Sequence, residues 1–336
     1  MSIAPRLSAV IAAYNSANTL GECLTALERS AIRPCECLVV LDGATDGSAS
    51  IAQHHGVRVI SREERQGPAH ARNVGLGLAQ GDLILFLDSD VAIHPDAIPR
   101  ILDHFQDDPA LDAVFGAYDD TPAAPGFVSQ YRNLLHCYTH RQGHSSACTF
   151  WAGCGAIRKE AFLRCGGLDE SYSRPAVEDI EFGLRLHAAG GRILLDPAIQ
   201  VKHLKCWGLA NMVKTDIFDR GIPWTRLILR SGRMPDDLNL RWSQRVSVAL
   251  SLLSVAALPF ADGTITAISL LALLGLNWPF FSFLRAKRGA WFAIGAFPIH
   301  ALFHLYSGIA FCLGLGAHLM SASRSSPSPA TTEEAP

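Results

Sequence analysis

The sequence predicts an α/β domain with a mostly parallel sheet, followed by a region of membrane-spanning helices. Strand-like and helix-like segments alternate through about residue 105, a pattern typical of a parallel sheet with helices on both faces. The apolar, β-prone run Asp82–Leu87 leads directly into two acidic residues, Asp88 and Asp90. The stretch from Ser243 to Met320 carries very few charges, as membrane spans do. The 336 residues therefore divide into two predicted parts.

The elements of the first part follow from local patterns. A helix is predicted at Leu20–Leu27, whose apolar residues share one face, and another runs from Pro68, a residue suited to the first helical position, to about Gln80. A third helix, Val177–Ala189, carries acids in its first turns, and Gly190 helps to end it. The predicted strands are Leu7–Ala13, Cys37–Leu41, Val57–Ile60, the run ending at Asp88, and Arg192–Leu195.

The composition bears on partners and compartment. The formal net charge of −2 and the lack of a basic stripe give no sign of a nucleic-acid partner. The nine cysteines are scattered and form no CxxC pair, which favours a reduced compartment. Met1–Arg6 leads straight into a strand-like segment, so no signal peptide is expected.

The acidic residues after the fourth strand are the strongest chemical signal. Open α/β sheets bind their ligands outside the carboxyl ends of the strands, where Asp88 and Asp90 are expected to emerge. Carboxylates two residues apart suit a hard divalent cation or a phosphate–metal pair, with Asp90 as the first expected ligand. The alternative is a helix-capping loop before Pro95. The position after a buried strand favours the metal site.

The other candidate residues each have a structural and a functional interpretation. Asp42 fits an ordinary Asx turn, and Arg72 fits a helix surface, but both flank the edge where the acidic residues emerge. Asp179 and its neighbour Glu178 suit the start of a helix electrostatically, while a carboxylate placed there beside a substrate hydroxyl can act as a general base. His203 is either a structural histidine or a metal ligand.

An ordered set of motifs resembles the family 2 glycosyltransferases with the GT-A fold, over roughly the first two-thirds of the chain. Each motif is weak alone, and the order makes the set specific. The motifs are Ala13-Tyr14-Asn15, Leu41-Asp42-Gly43-Ala44-Thr45-Asp46-Gly47, Gly67-x-x-x-Ala71-Arg72-Asn73-x-Gly75, Asp88-Ser89-Asp90, Gly166-Gly167-Leu168-Asp169-Glu170 and Glu178-Asp179-x-Glu181.

The resemblance implies a role for each matching residue. It implies a UDP- or GDP-sugar donor, whose base contacts Tyr14 and Asp42, and a Mg²⁺ or Mn²⁺ ion bound through Asp90. Asp179 matches the family's catalytic base. The remaining implied roles are a nucleotide contact at Arg72, a ribose or metal contact at Asp88, acceptor contacts at Trp151 and Glu178, and a place near the metal and diphosphate for His203.

Two departures from the family pattern bear on the product. Leu41 stands where many members have a first aspartate. The Gln-x-x-Arg-Trp motif of processive polysaccharide synthases is absent, and Asp219–Trp224 occupies the corresponding region without matching it. Transfer of a single sugar is therefore expected.

Three apolar segments predict a multi-pass membrane protein: Val246–Phe260 with its flanks, Thr264–Leu284 and Phe292–Leu319. Buried core helices are the alternative. Basic residues before the first segment and after the second place the catalytic domain in the cytoplasm, attached to the inner (plasma) membrane. The third segment contains Pro298, His300 and His304, so a kinked or partly re-entrant course is a further alternative.

The predicted boundaries are a catalytic domain at 1–233, a linker at 234–243, membrane helices at 244–320 and a disordered tail at 321–336. The expected activity is inverting, metal-dependent transfer of one sugar to a hydroxyl of a lipid, lipid-linked or glycan acceptor. Two alternatives stay open: a polyprenyl-phosphate glycosyltransferase and a catalytically degenerate scaffold. A sugar nucleotidyltransferase would need a glycine-rich loop after the first strand, and Ala12–Asn15 is not one.

Overall fold

One mixed sheet organises the first part of the molecule. The computed structural model describes residues 5–232, 234, 236–260 and 263–324. Within these residues the sheet has nine strands in the order β3-β2-β1-β4-β8-β6-β9-β5, with β7 paired to β9. The strands are β1 Leu7–Ala13, β2 Glu36–Asp42, β3 Arg58–Arg62, β4 Leu83–Asp88, β5 Val91–Ile93, β6 Ala113–Tyr118, β7 Ser146–Ala147, β8 Cys154–Arg158 and β9 Ile193–His203.

Helices cover both faces of the sheet and form the C-terminal region. Seven belong to the α/β part: α1 Leu20–Glu28, α2 Ser48–His54, α3 Pro68–Leu78, α4 Ala97–Asp107, α5 Phe127–Arg141, α6 Lys159–Arg164 and α7 Glu178–Ala188. The later helices are α8 Leu209–Lys214, a π-helix Thr215–Gly221, α9 Ile222–Ser231, a short 3₁₀ turn Leu238–Leu240, α10 Trp242–Ala256, α11 Thr264–Leu276, α12 Trp278–Arg288 and α13 Ala290–Arg324.

The strand order places a ligand crevice between β1 and β4. The pairs β1–β2, β2–β3 and β1–β4 are all parallel. The chain moves outward from β1 to β3 and then returns to β4 on the other side of β1. The crevice of an open α/β sheet lies at such a reversal, outside the carboxyl ends of the strands. The alternation of strands and helices thus correctly predicted the α/β fold and its parallel half.

The central strand β4 is buried on both faces, as its composition predicted. Leu85 points into a cluster that includes Leu24 and Ile98, and its neighbour Phe86 points into the opposite cluster with Phe162. Both side chains are fully buried. Burial of a large apolar side chain contributes about 1.5–3 kcal/mol, so this strand fixes the position of the acidic residues that follow it.

The predicted strand Arg192–Leu195 is too short. The structure continues it through His203 as β9, which pairs with β6 in two stretches separated by an irregularity between Phe115 and Ala117. Asp196 and Pro197 look like the end of a strand in the sequence, but the irregularity lies on β9, where the four residues between Leu195 and Gln200 face the single residue between Phe115 and Ala117 of β6. The longer strand is what brings His203 to the crevice.

The described residues support fewer than the three predicted membrane spans. By length and composition, Ala290–Met320 of α13 is the one helix among the described residues that could cross a membrane alone. α11 and α12 qualify only together, as one span bent by 64° where α12 begins at Trp278, with Pro279 in its first turn. α10 has 15 residues, about 22 Å of helix, against a hydrocarbon core of about 30 Å. Arg233, Asp262 and residues 325–336 of the predicted tail lie outside the described residues.

The C-terminal helices pack directly on the α/β domain. Tyr131 and Leu134 of α5 share a buried cluster with Phe280 and Leu284 of α12 and with Ala296 of α13. Arg288 at the end of α12 donates hydrogen bonds to Gln130 Oε1 and to the Asp120 carbonyl. The two parts of the chain therefore meet along α5, beside the crevice.

Candidate functional site

A cleft of about 1040 Å³ opens at the carboxyl ends of β1 and β4 and extends toward the C-terminal helices. The structure brings every residue singled out from the sequence into this cleft. Their roles stay predictions. The residues are Tyr14, Asp42, Arg72, Asp88, Asp90, Trp151, Glu178, Asp179 and His203.

Arg72 joins two walls of the cleft. Its Nη2 donates to Asp88 Oδ1 at 2.7 Å, and its Nη1 donates to Glu178 Oε1 at 2.8 Å. Arg72 and Glu178 are buried, and both carboxylates raise the pKa of the guanidinium above its ordinary value. In this arrangement the arginine holds carboxylates together, and only its Nε lacks a hydrogen-bond partner.

Asp42 organises the loop that leads into α3. Its two carboxylate oxygens each accept one backbone hydrogen bond at 2.8 Å, from the amides of Gln66 and Gly67. Gly67 has a φ of 107°, and a Cβ there would lie 2.8 Å from backbone atoms of Ser173, so this position requires glycine. A carboxylate that accepts two amide hydrogens stabilises the loop beside the cleft.

An aromatic and cationic pair forms the outer edge of the cleft. Tyr14 is 42% exposed, and the Arg65 guanidinium lies 3.9 Å from the centre of its ring. The exposed face of such a pair can stack on a planar ligand. The sequence reasoning found Tyr14 and missed Arg65, because Arg65 stands in a charged loop with no motif of its own.

Asp90 and His203 face each other across the inner part of the cleft. The distance from His203 Nε2 to Asp90 Oδ2 is 3.9 Å, too long for a hydrogen bond. Burial, followed by the nearby charge of Asp88, raises the pKa of Asp90 to about 6. Burial, followed by Lys205, lowers the pKa of His203 to about 3, so the imidazole is neutral and keeps a lone pair.

These donors fit a hard divalent cation that also binds phosphate oxygens. Among the described residues no three His, Cys, Asp or Glu side chains form a ready-made metal site. Asp90 and a neutral His203 supply two donors in a cleft where Asp88 is 32% exposed. Mg²⁺ and Mn²⁺ complete such partial ligand sets with phosphate and water oxygens.

Asp179 lies at the start of α7 with the features of a general base. Its Oδ2 accepts a hydrogen bond from the Ala152 amide at 3.0 Å, and its Oδ1 accepts one from the Ile180 amide at 2.8 Å. Burial, and then the adjacent Glu178, raise the pKa of Asp179 to about 7. A carboxylate with a pKa near neutral is suited to take a proton in the rate-limiting step.

Aromatic rings form the floor between these groups. Tyr118 stacks on His203 with ring centres 4.4 Å apart and meets Trp151 edge-on at 4.9 Å. Trp151 also contacts His140 at 5.2 Å between ring centres. The rings restrain His203 and shape the space beside Asp179.

The sequence reasoning missed one whole arm of the cleft. On the side of the C-terminal helices much of the lining is apolar, and it also includes the cations Arg132, Lys205, Arg220 and Arg245. No local motif marks this arm, because α9, α10 and α13 build it from residues far apart in the chain. The apolar residues include Trp224, Ile228, Val248, Phe303 and Phe311.

Comparison with known proteins agrees with this architecture. Residues 8–166 match the family model described as Glycosyl transferase family 2. Poly-beta-1,6-N-acetyl-D-glucosamine synthase of Staphylococcus aureus (strain MSSA476) is 24% identical over 226 residues, which cover 65% of this chain and 53% of that protein. Glycosyltransferase GlyG of Streptococcus pneumoniae serotype 4 is 32% identical over 117 residues, 33% of this chain and 38% of that protein. The chain thus spans about half the length of the first of these relatives.

A solved structure has the same fold over nearly the whole chain. The mannosyltransferase PcManGT from Pyrobaculum calidifontis, in complex with GDP-Man and Mn²⁺, matches with a TM-score of 0.60 and 18% identity. The match covers 95% of this chain and 88% of that chain. This likeness confirms the GT-A fold predicted from the ordered motifs.

Proposed function

We propose that this chain, whose residues 8–166 form a family 2 glycosyltransferase domain, moves one sugar from a nucleotide-diphosphate sugar to an acceptor hydroxyl with inversion. The observation that carries the proposal is Asp179, a buried carboxylate with a pKa raised to about 7 in the same cleft as Asp88 and Asp90. Inversion in a single displacement needs one base and no covalent intermediate.

In the proposed mechanism Asp179 removes the proton from the acceptor hydroxyl as that oxygen attacks the anomeric carbon. Asp90 and His203 would hold a divalent cation, and Asp88 lines the same cleft. The cation supplies positive charge for the diphosphate leaving group when it is bound. Glu178 keeps the α7 start in place through Arg72, so the base stays close to the acidic end of β4.

The donor is proposed to bind with its base against Tyr14. Arg65 already covers one face of this ring, and Asp42 fixes the loop that follows. The structural neighbour was solved with GDP-Man and Mn²⁺, which supports a nucleotide sugar and a divalent cation here. A UDP- or a GDP-sugar remains the proposed donor class.

The acceptor is proposed to be a lipid or a lipid-linked glycan. The apolar arm of the cleft lies between α9, α10 and α13, where it suits a hydrocarbon chain whose reactive end reaches Asp179. The outward-facing side chains of the C-terminal helices include exposed Trp242, Trp278 and Trp291, the residue type that prefers the membrane interface. We propose attachment to the inner face of the plasma membrane through α13, with the catalytic domain in the cytoplasm.

A phosphate acceptor is the second candidate. Lys205 and Arg220 line the cleft, and cations there favour an anionic head group. A polyprenyl phosphate would then take the sugar directly on phosphate. A polymer product, as in the S. aureus relative, is disfavoured because the Gln-x-x-Arg-Trp motif is absent. A degenerate scaffold is disfavoured because Asp42, Asp90 and Asp179 are intact.

The experiment uses the full chain in membranes, a panel of UDP- and GDP-sugars with Mn²⁺, and a total lipid extract as acceptor. Mass spectrometry of the extracted lipids should show one added hexose or N-acetylhexosamine. A glycosidic product that survives mild acid supports a hydroxyl acceptor, and an acid-labile sugar–phosphate linkage supports the second candidate. A water-soluble polymer, or the absence of any transfer across the panel, would contradict the proposal.

A further inference from the structure

A π-helix forms part of the wall of the cleft. Thr215–Gly221 continues α8 into α9 with the wider π geometry over seven residues. Such helices are rare and often lie at functional sites. Asp216 and Arg220 of this segment both line the cleft.

Asp216 is the buried centre of a network that joins three elements. Its Oδ1 accepts a hydrogen bond from Arg132 of α5, and its Oδ2 accepts one from the Tyr306 hydroxyl of α13 at 2.6 Å. Arg220 lies one helical turn further on, with its Nη1 at 4.0 Å from Asp216 Oδ1. A buried carboxylate needs such partners, because an unpaired charge there would be strongly destabilising.

The packing between α13 and the π-helix leaves little freedom. A Cβ on Gly221 would lie 2.6 Å from the Cβ of Ala310 and 2.8 Å from the Asp216 carbonyl oxygen. A Cβ on Gly314 would lie 2.6 Å from the Cβ of Thr225 in α9. Close approach at both points fixes the position of Tyr306 relative to Asp216.

Arg220 faces the place where the donor diphosphate is proposed to bind. Its Nη1 lies 3.4 Å from His136 Nε2, and its side chain lines the same cleft as Asp90 and His203. The side chain is only partly exposed. Asp216 and His136 are thus polar side chains that lie next to its guanidinium.

We propose that Tyr306 and Asp216 are positioning residues that hold Arg220 toward the diphosphate of the donor. Tyr306 acts through Asp216, so the C-terminal helix completes a site whose carboxylates come from the sheet and α7. The inference rests on the proposed function, because it needs a phosphate-bearing donor in the cleft.

A double-mutant cycle tests the inference. Calorimetry measures the affinity of the full chain for UDP and GDP with Mn²⁺ in the wild type, Tyr306→Phe, Arg220→Ala and the double variant. We expect Tyr306→Phe to weaken binding roughly 3- to 10-fold, and to add less than about 2-fold in the Arg220→Ala background, because coupled residues are not additive. Asp216→Asn should behave as Tyr306→Phe does, with a larger loss.

The matched control is Tyr138→Phe. Tyr138 lies on α5, packs against Phe280 and Phe283, and its hydroxyl has no hydrogen-bond partner among the described residues. It should bind both nucleotides as the wild type does. Equal losses from Tyr306→Phe with and without Arg220 would overturn the inference, since a general packing defect would give that result.

Hydrogen exchange separates this inference from the proposed function. Tyr306→Phe should speed amide exchange within residues 215–221 and leave α3 unchanged. If the wild type binds neither nucleotide, the proposed donor class fails, while the exchange result still decides whether Tyr306 holds the π-helix. Unchanged exchange in that segment would reject the positioning role.

Discussion

Arg72 donates a 2.8 Å hydrogen bond to Glu178, a residue 106 positions later in the chain. The same guanidinium reaches Asp88 at the end of β4. This pairing places the start of α7, and with it Asp179, beside the acidic end of the sheet. A long-range ion pair therefore sets the distance between the proposed base and the proposed metal site.

Removal of Arg72 should destabilise the domain strongly. Arg72→Met leaves Glu178 buried without its cation, and breaking a buried pair in this way costs about 3–5 kcal/mol. Urea unfolding, followed by far-UV circular dichroism, measures the change. Arg100→Met is the control, because its pair with Asp96 is on the surface and should matter little. Equal stability of the two variants would contradict a structural role for Arg72.

Asp90→Ala should abolish activity that depends on a divalent cation while the fold is kept. One hard carboxylate ligand is lost at the open end of a strand. In the wild type, EDTA should stop sugar transfer and Mn²⁺ or Mg²⁺ should restore it. Asp107→Ala removes an exposed carboxylate outside the cleft and should leave the metal response intact. Full activity of the Asp90 variant without added metal would remove Asp90 from the site.

Tyr14→Ala should weaken nucleotide binding. Stacking of a base on an aromatic ring is worth about 1–3 kcal/mol, which corresponds to roughly 5- to 150-fold in affinity. Calorimetric titration with UDP and with GDP measures the loss for each base. Ile32→Ala, an exposed apolar residue outside the cleft, serves as the control. An unchanged affinity for both nucleotides would place the base elsewhere.

The rate of transfer should rise with pH through about 7. Asp179 must be deprotonated to act as a base, and its pKa is raised to about 7 by burial and by Glu178. Below that value the protonated form dominates and kcat/KM should fall about tenfold per pH unit. The same shift means that Asp179 binds its proton more tightly in the folded state. Its contribution to stability is therefore full at low pH and is lost as the pH rises through about 7.

The effect of Asp179 on the pH dependence of the unfolding free energy can be tested separately. Asp179→Asn cannot titrate, so the decline in unfolding free energy between about pH 4 and 7 should become shallower in that variant. Urea unfolding across this pH range in both proteins provides the comparison. Identical slopes would show that the pKa of Asp179 is not raised in the folded protein.

Local patterns in the sequence were enough to predict the parallel half of the sheet. Residues 83–87, directly before Asp88, are all apolar, so this strand was expected to be buried on both faces and to carry the acidic pair to the crevice. The ordered motifs then predicted the GT-A fold. The length of β9 could not be predicted, because Asp196 and Pro197 look like the end of a strand unless the irregular pairing of β9 with β6 is known.

Features that depend on distant contacts could not be predicted. The pairing of Arg72 with Glu178, and the network of Asp216 with Tyr306, exist only once the chain is folded. The apolar arm of the cleft also could not be predicted, because residues far apart in the chain line it. Composition alone also does not show the bend between α11 and α12 or the short length of α10, which leave fewer candidate membrane spans among the described residues than the three predicted.

The central claim is that Asp179 deprotonates the acceptor. Asp179→Asn keeps the size of the side chain and part of its hydrogen bonding but cannot take the proton. The decisive measurement pairs turnover with acceptor against calorimetric binding of the donor, in the wild type and in this variant. We predict a loss of about 10²–10⁴-fold in kcat with donor affinity nearly unchanged. Near-normal turnover with a hydroxyl acceptor would contradict the account, and lost donor binding would make Asp179 a residue of the nucleotide site instead.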